Sequence, residues 1–372
     1  MSRFNPVRLL APSRRDWLVL SALSAAALAG CGGADDAPTT PVGNYLATPL
    51  VSNTTATAKT DANLVDVRGV TFNPTGLVWV NNAGTATSTL YDGNGTPNAL
   101  VVAVPSGSAA KSKPTGIVFS GSATDFSVSN GTVTAASRFI FATEDGTISA
   151  WAPTVNRTNA ILSINNSSKG SAYLGLAVAT DAAGAGRLYA ADFKNGRIDA
   201  FDAKFAPVTL SASFSDTLRP SAYKPFNIQQ IGGKLYVAYA RPDASGLKPL
   251  NEAGNGQVSV FDTEGRLIKH LVSAGAQLNS PWGLAMAPAN FGTLSGSLLV
   301  GSVADGVIHA YDPSTGSYRG SLGKADGSLL RIEGLWGFAF GNGVQNQAIN
   351  QLFYASSTGG GTGGAYGRIE AK

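Results

Sequence analysis

The chain has 372 residues, with 27 Lys and Arg against 23 Asp and Glu, two His and one Cys. Four arginines and one aspartate fall within residues 1–30, so the remainder holds 23 cations against 22 anions and a net charge of +1. Near-neutrality removes the case for a nucleic-acid surface, and a single thiol excludes both an internal disulfide and a cysteine-ligated metal.

The first element is an N-terminal segment. Arg3, Arg8, Arg14 and Arg15 form a basic region, and the 14 residues from Trp17 to Gly30 carry no charge. That run suits a signal-peptide core and is shorter than the ~20 apolar residues that span a bilayer as a helix. It ends in Leu28-Ala29-Gly30-Cys31, a match to the bacterial lipobox, in which the cysteine thiol takes a lipid after cleavage. Ser13-Arg14-Arg15-Asp16-Trp17-Leu18 also resembles the twin-arginine export signal, and the general secretory route stays open beside it. The expectation is a signal over residues 1–30, then a lipidated Cys31 and a flexible Gly/Pro/Asp-rich tether over 31–43. Cys31 would anchor the protein to the cell-envelope membrane. With Gly32 and Gly33 following and no aspartate beside the cysteine, the outer membrane is the favoured side.

From residue 44 to 372 the texture is uniform: short β-branched and aromatic runs separated by Gly, Asn, Asp and Ser turns, without sustained helical periodicity. An apolar strand with a small or turn residue near its start recurs as RGVTF (68–72), TGIVF (115–119), LGLAV (174–178), FNIQQ (226–230), WGLAM (282–286) and WGFAF (336–340). The second positions are spaced 47, 59, 52, 56 and 54 residues apart, about one four-stranded propeller blade each. A second strand follows each first, as in RFIFAT (138–143), KLYVAY (234–239) and QLFYA (351–355). Third strands open on turn dipeptides in EDGTISAW (144–151), NGRIDAFD (195–202), NGQVSVFD (255–262) and DGVIHAYD (305–312), and Asp-Gly or Asn-Gly predicts tight hairpins with φ > 0 at both central residues.

The sixth unit ends at GGAYGRIEAK, with a third strand and no room for a fourth, while NYLATPLVS (44–52) is a strand without an owner. Pairing the two would leave no open sheet edge. The predicted fold is therefore all-β, a six-bladed β-propeller whose N-terminal strand completes the last blade.

Long ordered stretches carry a family resemblance: TSTLYDGNG (87–95), FIFATEDGTISAW (139–151), LYAADFKNGRIDAFD (188–202), PFNIQQIGGKLYVAYA (225–240), SPWGLAMAPANFG (280–292) and GLWGFAFGNG (334–343). With these, the chain resembles an uncharacterised family of secreted bacterial six-bladed propellers, similar to NHL-repeat propellers, some of whose members carry PEP-CTERM sorting tails. The resemblance implies the fold and an exported protein; it supplies no catalytic residues. One departure stands out. Where such proteins open the first blade with Asn-Pro-Trp-Gly, this chain has Asp66-Val67-Arg68-Gly69, so Arg68 replaces a tryptophan at the channel mouth.

In a propeller the innermost strands start, and the second strands end, on one face around the axis. Aligning the units places Asn82, Glu144, Asp192, Tyr239, Ser302 and Ser356 there from the second strands, with Arg68, Trp282, Trp336 and Glu333 from the strand starts. Asn82, Glu144 and Asp192 are oxygen donors of the kind Ca²⁺ takes. The alternative is that the two carboxylates bond the backbone of neighbouring turns. Trp282 and Trp336 suit either stacking on a sugar or aromatic ligand, or packing between blades. His270 and His309 fall on third or outer strands, where both read as solvated residues, which disfavours histidine-ligated zinc and a Ser-His-Asp triad. Arg241–Gly256 reads as a surface loop, and Gly359–Gly364 as a turn rather than a phosphate loop.

Two functions follow. The first is a lipid-anchored, monomeric binding module of the envelope that holds a protein, glycan or small ligand on its channel face, with no cofactor. The second is a Ca²⁺-dependent hydrolase, lactonase or lyase built on the carboxylates at the mouth.

Overall fold

In the computed structural model the described residues are Met1 and 39–372, without 109–110 and 276. The basic segment, the lipobox with Cys31 and the tether as far as residue 38 lie outside the described residues.

Six small antiparallel sheets form the blades. Blade 1 runs Val67–Phe72, Val78–Asn82, Thr87–Tyr91 and Pro97–Ala103; blade 2 runs Pro114–Phe119, Phe139–Thr143, Thr147–Trp151 and Ile161–Asn165. Blade 3 has Tyr173–Thr180, Gly186–Asp192 and Arg197–Asp202; blade 4 has Lys224–Ile231, Lys234–Ala240, Gln257–Phe261 and Leu267–Val272. Blade 5 is Pro281–Met286, Leu298–Ser302, Ile308–Tyr311 and Tyr318–Leu322, and blade 6 is Leu335–Phe340, Leu352–Thr358 and Gly363–Ala371. The innermost strands contact one another in cyclic order, blade 6 returning to blade 1.

The ring closes as its sequence predicts. Tyr45–Ser52 pairs antiparallel with Gly363–Ala371, from Tyr45 opposite Ala371 to Ser52 opposite Ala365, and becomes the fourth strand of blade 6. Just before it, Pro41–Val42 pairs in parallel with Ser321 and Leu322 of blade 5. Residues 41–42, expected in the tether, are therefore strand, because they find unpaired backbone groups on an open blade edge. Two further differences are local. The long spacing between blades 2 and 3 accommodates an extra hairpin, Ser127–Ser129 with Thr134–Ala136. Blade 3 has no fourth strand among the described residues, and an irregular connection takes its place, with Val208 N–H bonded to Ala200 O at 2.9 Å.

Strand alternation explains the core. Successive side chains point to opposite faces of a blade, and each face meets a neighbouring blade. In blade 3, Leu176, Leu188 and Ala190 pack toward blade 2, whereas Ala177, Tyr189 and Ala191 pack toward blade 4. The same division gives six hydrophobic clusters, one between each pair of neighbours, and a seventh on the axis.

The hairpin turns differ from the expected type. Gly146, Gly196 and Gly306 have φ of 73°, 73° and 71°, whereas Asp145, Asn195 and Asp305 are not in the positive region. Loops of three or more residues separate the strands, and these need one left-handed position rather than two. In blade 4 the dipeptide does something else. Asn255 is fully buried and its Nδ2 donates to Leu250 O at 2.7 Å, folding the polar insertion against the blade.

Candidate functional site

Each innermost strand has one residue just before the Gly or Asn that recurs in the repeat: Arg68, Thr115, Leu174, Phe226, Trp282 and Trp336. The next residue is glycine in five blades, for a steric reason. A Cβ on Gly69 would lie 2.3 Å from Thr115 O, on Gly175 2.2 Å from Asn227 Oδ1, and on Gly337 2.7 Å from Arg68 O. The backbones of neighbouring inner strands approach too closely there for any side chain. Blade 4 alone has a side chain at this position, Asn227, and its Nδ2 donates to Trp282 O at 2.7 Å, tying blade 4 to blade 5.

With the strands this close, the six residues fill the mouth. Trp282 Nε1 donates to Leu174 O at 3.0 Å, and Thr115 Oγ1 donates to Tyr173 O at 2.6 Å. Trp336 lies edge-on to Trp282 with centroids 5.8 Å apart, and 5.8 Å from Phe226, which is 4.9 Å from Phe193. Aromatic pairs of this kind add ~0.5–1.5 kcal/mol each beyond the area they bury. Trp282 and Trp336 both pack against other blades, Trp282 buried and Trp336 partly exposed.

Arg68 completes the plug. Its guanidinium stands 4.8 Å over the Trp336 ring, and the residue is 6% exposed. It is paired with Asp66 at 2.7 Å and with Glu144 of blade 2, and Glu144 also meets Lys113 at 3.4 Å. Asp66 takes a further bond from Ser357 Oγ of blade 6 at 2.9 Å. Burial pushes the Asp66 carboxyl up, but the charge and hydrogen bonds of Arg68, with Ser357, outweigh it and hold the group below its ordinary value. Two cations and two anions cancel, and the cluster clamps blades 6, 1 and 2 together.

The second-strand residues form a ring around this plug, each paired with the residue just before a plug residue. Asn82 pairs with Val67, Asp192 with Tyr173, Tyr239 with Pro225, Ser302 with Pro281 and Ser356 with Leu335. These five positions are equivalent, as the sequence alignment has them. In blade 2 the residue opposite Pro114 is Thr143, so Glu144 sits one place beyond the ring. That single shift is what frees Glu144 to reach Arg68. All six ring residues are buried, with exposures of 0–3%.

The ring ties strands to turns. Asp192 accepts bonds from the backbone N–H of Ala172 at 3.0 Å and of Asn195 at 3.2 Å, from Asn195 Nδ2 at 2.8 Å, and meets Arg197 at 3.1 Å. Asn82 Nδ2 donates to Thr89 at 3.0 Å and Thr87 at 3.2 Å; Ser302 Oγ accepts from the Asn279 N–H at 3.0 Å. Tyr239 has Arg219 4.9 Å over its ring, and burial pushes its hydroxyl pKa far up. Of the oxygen donors expected for Ca²⁺, Glu144 is engaged by the Arg68 and Lys113 cations and Asp192 by a turn, while Asn82 is held through its Nδ2 by threonines and its buried Oδ1 has no hydrogen-bond partner. Among the described residues no three His, Cys, Asp or Glu side chains gather as a metal group. Glu333 is exposed.

An open space lies farther along the channel, at the other end of the same six strands. All six blades line a cavity of about 340 Å³. Apolar side chains such as Ile117, Val178, Met286 and Phe340 line it, with Thr71, Gln229 and Gln230 as its polar side chains, and more polar than apolar surface faces the space. No ionisable side chain lines it. The residue pattern marks the strand starts, where the polar and aromatic residues gather, and not this end of the strands. The signal was present in FNIQQ, where Gln229 and Gln230 stand in places that the other repeats give to apolar residues, Thr71 of blade 1 apart.

The histidines lie off the axis as expected, His309 on the third strand of blade 5 and His270 on the fourth of blade 4. Neither is simply solvated. His309 is fully buried with Nδ1 2.9 Å from Ser321 Oγ, and burial, with Arg331, lowers its pKa to about 4.

No family model matches the chain. An uncharacterized protein of Acanthamoeba polyphaga mimivirus is 34% identical over 315 residues, which cover 82% of this chain and 75% of that protein. A second uncharacterized protein of the same virus is 33% identical over 281 residues, covering 72% and 73%. Among solved structures, a glucose dehydrogenase superposes with a TM-score of 0.53 at 11% identity, over 88% of this chain and 100% of that one. A Bacteroides thetaiotaomicron protein of unknown function gives 0.52 at 12%, over 88% and 76%. At such low identity the likeness is one of fold alone.

Proposed function

We propose a role for a chain that belongs to the same family as those two mimivirus proteins: it is a propeller that binds a small, neutral ligand in its channel. The observation that carries this reading is the absence of any ionisable side chain in the lining of a 340 Å³ cavity to which all six blades contribute. A site of this size suits a drug-sized molecule or the end of a larger one, such as a sugar residue of a glycan. Polar surface supplies most of the contact, and within it the amides of Gln229 and Gln230 with the Thr71 hydroxyl are the side-chain donors and acceptors that orient the ligand, beside apolar side chains such as Ile117 and Met286. General acid–base or nucleophilic chemistry needs a titratable or activated group within reach of the substrate, and this lining offers only a threonine hydroxyl. The cavity therefore retains rather than transforms. At the opposite end the mouth is packed and its charges cancel, so a ligand enters from the cavity end.

Export and anchoring belong to the same proposal. The uncharged run from Trp17 to Gly30 and the lipobox ending at Cys31 support delivery of the propeller to an envelope membrane, with Cys31 as the lipid acceptor. The kinship to secreted bacterial propellers rests on the sequence motifs alone.

The test is a ligand-observed NMR screen of neutral and charged fragments and of oligosaccharides against the chain from residue 39, repeated with Ala339→Trp. Ala339 lines the cavity, so an indole there occupies it. Neutral hits that vanish in the Ala339→Trp protein are expected. Hits that survive it, or a set dominated by charged molecules, would contradict the reading.

A further inference from the structure

We propose that the rim of blade 4, away from the channel, carries an acyl-transfer site: Ser273 is the nucleophile, His270 its general base, and Asp216 the residue that positions the imidazole.

The geometry is that of a relay. Ser273 Oγ lies 3.0 Å from His270 Nε2, and His270 Nδ1 lies 2.7 Å from Asp216 Oδ2. Three elements supply the parts. His270 is on the outermost strand of blade 4, Ser273 follows that strand's end, and Asp216 comes from the connection that leads from blade 3 into blade 4. Exposure is graded along the line, as such chemistry requires: the Asp216 side chain is fully buried, that of His270 is 12% exposed, and Ser273 is exposed.

Asp216 is fixed independently of the histidine. Oδ2 accepts from Ser259 Oγ at 2.6 Å and Gln257 Nε2 at 3.2 Å, and Oδ1 accepts from the Leu218 N–H at 2.9 Å. Its surroundings favour the carboxylate: burial pushes the carboxyl up, but the bonds from Ser259, His270 and Leu218 bring it below its ordinary value. A carboxylate can only accept, so His270 Nδ1 carries the proton and Nε2 presents its lone pair to the Ser273 hydroxyl. An exposed serine on the remaining nitrogen is what nucleophilic chemistry adds.

The reaction balances with an ester and water. Ser273 Oγ bonds to the acyl carbon while its proton passes to Nε2, the ester C–O bond breaks, and the alcohol departs with that proton. Water then attacks the acyl-serine, giving a proton to Nε2 that returns to Oγ as the acid leaves. Substrates are small activated esters or acyl groups presented at the rim, since the triad faces solvent and not the cavity. The sequence reading disfavoured a Ser-His-Asp triad because both histidines lie off the axis, but this triad needs no axis.

The full chain is incubated with a fluorophosphonate probe and read by intact and peptide mass spectrometry. One adduct per chain, located on Ser273, is expected, with none in Ser273→Ala and none in the urea-unfolded protein. His270→Gln should label at least ten-fold more slowly, and Asp216→Glu should retain labelling that Asp216→Asn loses. If those buried-site variants do not fold, the native-against-unfolded comparison on the unmodified chain decides. An unlabelled native chain, an adduct elsewhere, or equal Ser273 labelling before and after unfolding would overturn the assignment.

Discussion

His309 shows what a single buried side chain contributes. It sits neutral inside blade 5, with a pKa lowered from 6.5 to about 4, chiefly by burial and secondarily by Arg331. Above pH 6.5 neither the folded nor the unfolded chain protonates it, and its contribution to stability is fully present. Between 6.5 and 4 the unfolded chain binds a proton that the native protein refuses, so stability falls with pH, by about 3 kcal/mol at most. Below 4 the native state also protonates and the loss levels off. Urea midpoints measured from pH 7.5 to 4 should therefore decline more steeply in the native protein than in His309→Gln; parallel profiles would contradict this. At the same scale, sequence reading located Arg68 but not its partners. The change from tryptophan marks the position, whereas Glu144 comes from another blade and Asp66 needs φ of 52° to face back onto Arg68. Pairings across blades leave no local periodicity to read. The Asp216–His270–Ser273 line, spread over 58 residues, was invisible for the same reason.

For elements, the repeat was legible because strands follow a period of two and turns use a small set of residues. The glycine in each inner strand was visible as a repeat, but its cause is three-dimensional. At Gly337 an added Cβ would meet Arg68 O at 2.7 Å and Trp282 at 2.9 Å, so Gly337→Ala forces two blades and the aromatic plug apart. A loss of about 1–3 kcal/mol is expected in urea unfolding. Gly121→Ala, whose nearest neighbour is 3.6 Å away, should change little. Equal effects would mean that the inner strands relax more freely than their packing implies. Second-strand ends were also read well, five of six in register; blade 2 slipped because Thr143 and Glu144 are both polar and only pairing with Pro114 distinguishes them.

For the whole molecule, closure was read from a count of strands, one missing at the end and one spare at the start. The structure adds that the N-terminal segment joins two blades, with Pro41–Val42 on blade 5 and Tyr45–Ser52 on blade 6. Removing residues 39–52 uncovers the edge of Gly363–Ala371 and takes Tyr45 and Val51 from the core. Those two side chains alone are worth roughly 3–6 kcal/mol, and an unpaired edge invites association. The truncated protein should unfold at lower urea and elute as aggregate in size exclusion; an unchanged midpoint and a monomer peak would show the ring closing without its latch. The cavity was the part of the molecule least legible in advance. It arises only when six strands converge, and no single repeat contains it.

The proposed ligand binds at the cavity end of the channel and not at the packed mouth, and one probe reports on this directly. The chain has two methionines, Met1 and Met286, and Met286 lines the cavity. In a chain from residue 39 labelled with ¹³C-methyl methionine, an initiating methionine apart, the Met286 methyl is the structural reporter. Titration with a neutral fragment that binds should move that resonance along a saturable curve in step with binding. Saturable binding that leaves the Met286 methyl unmoved would contradict the account.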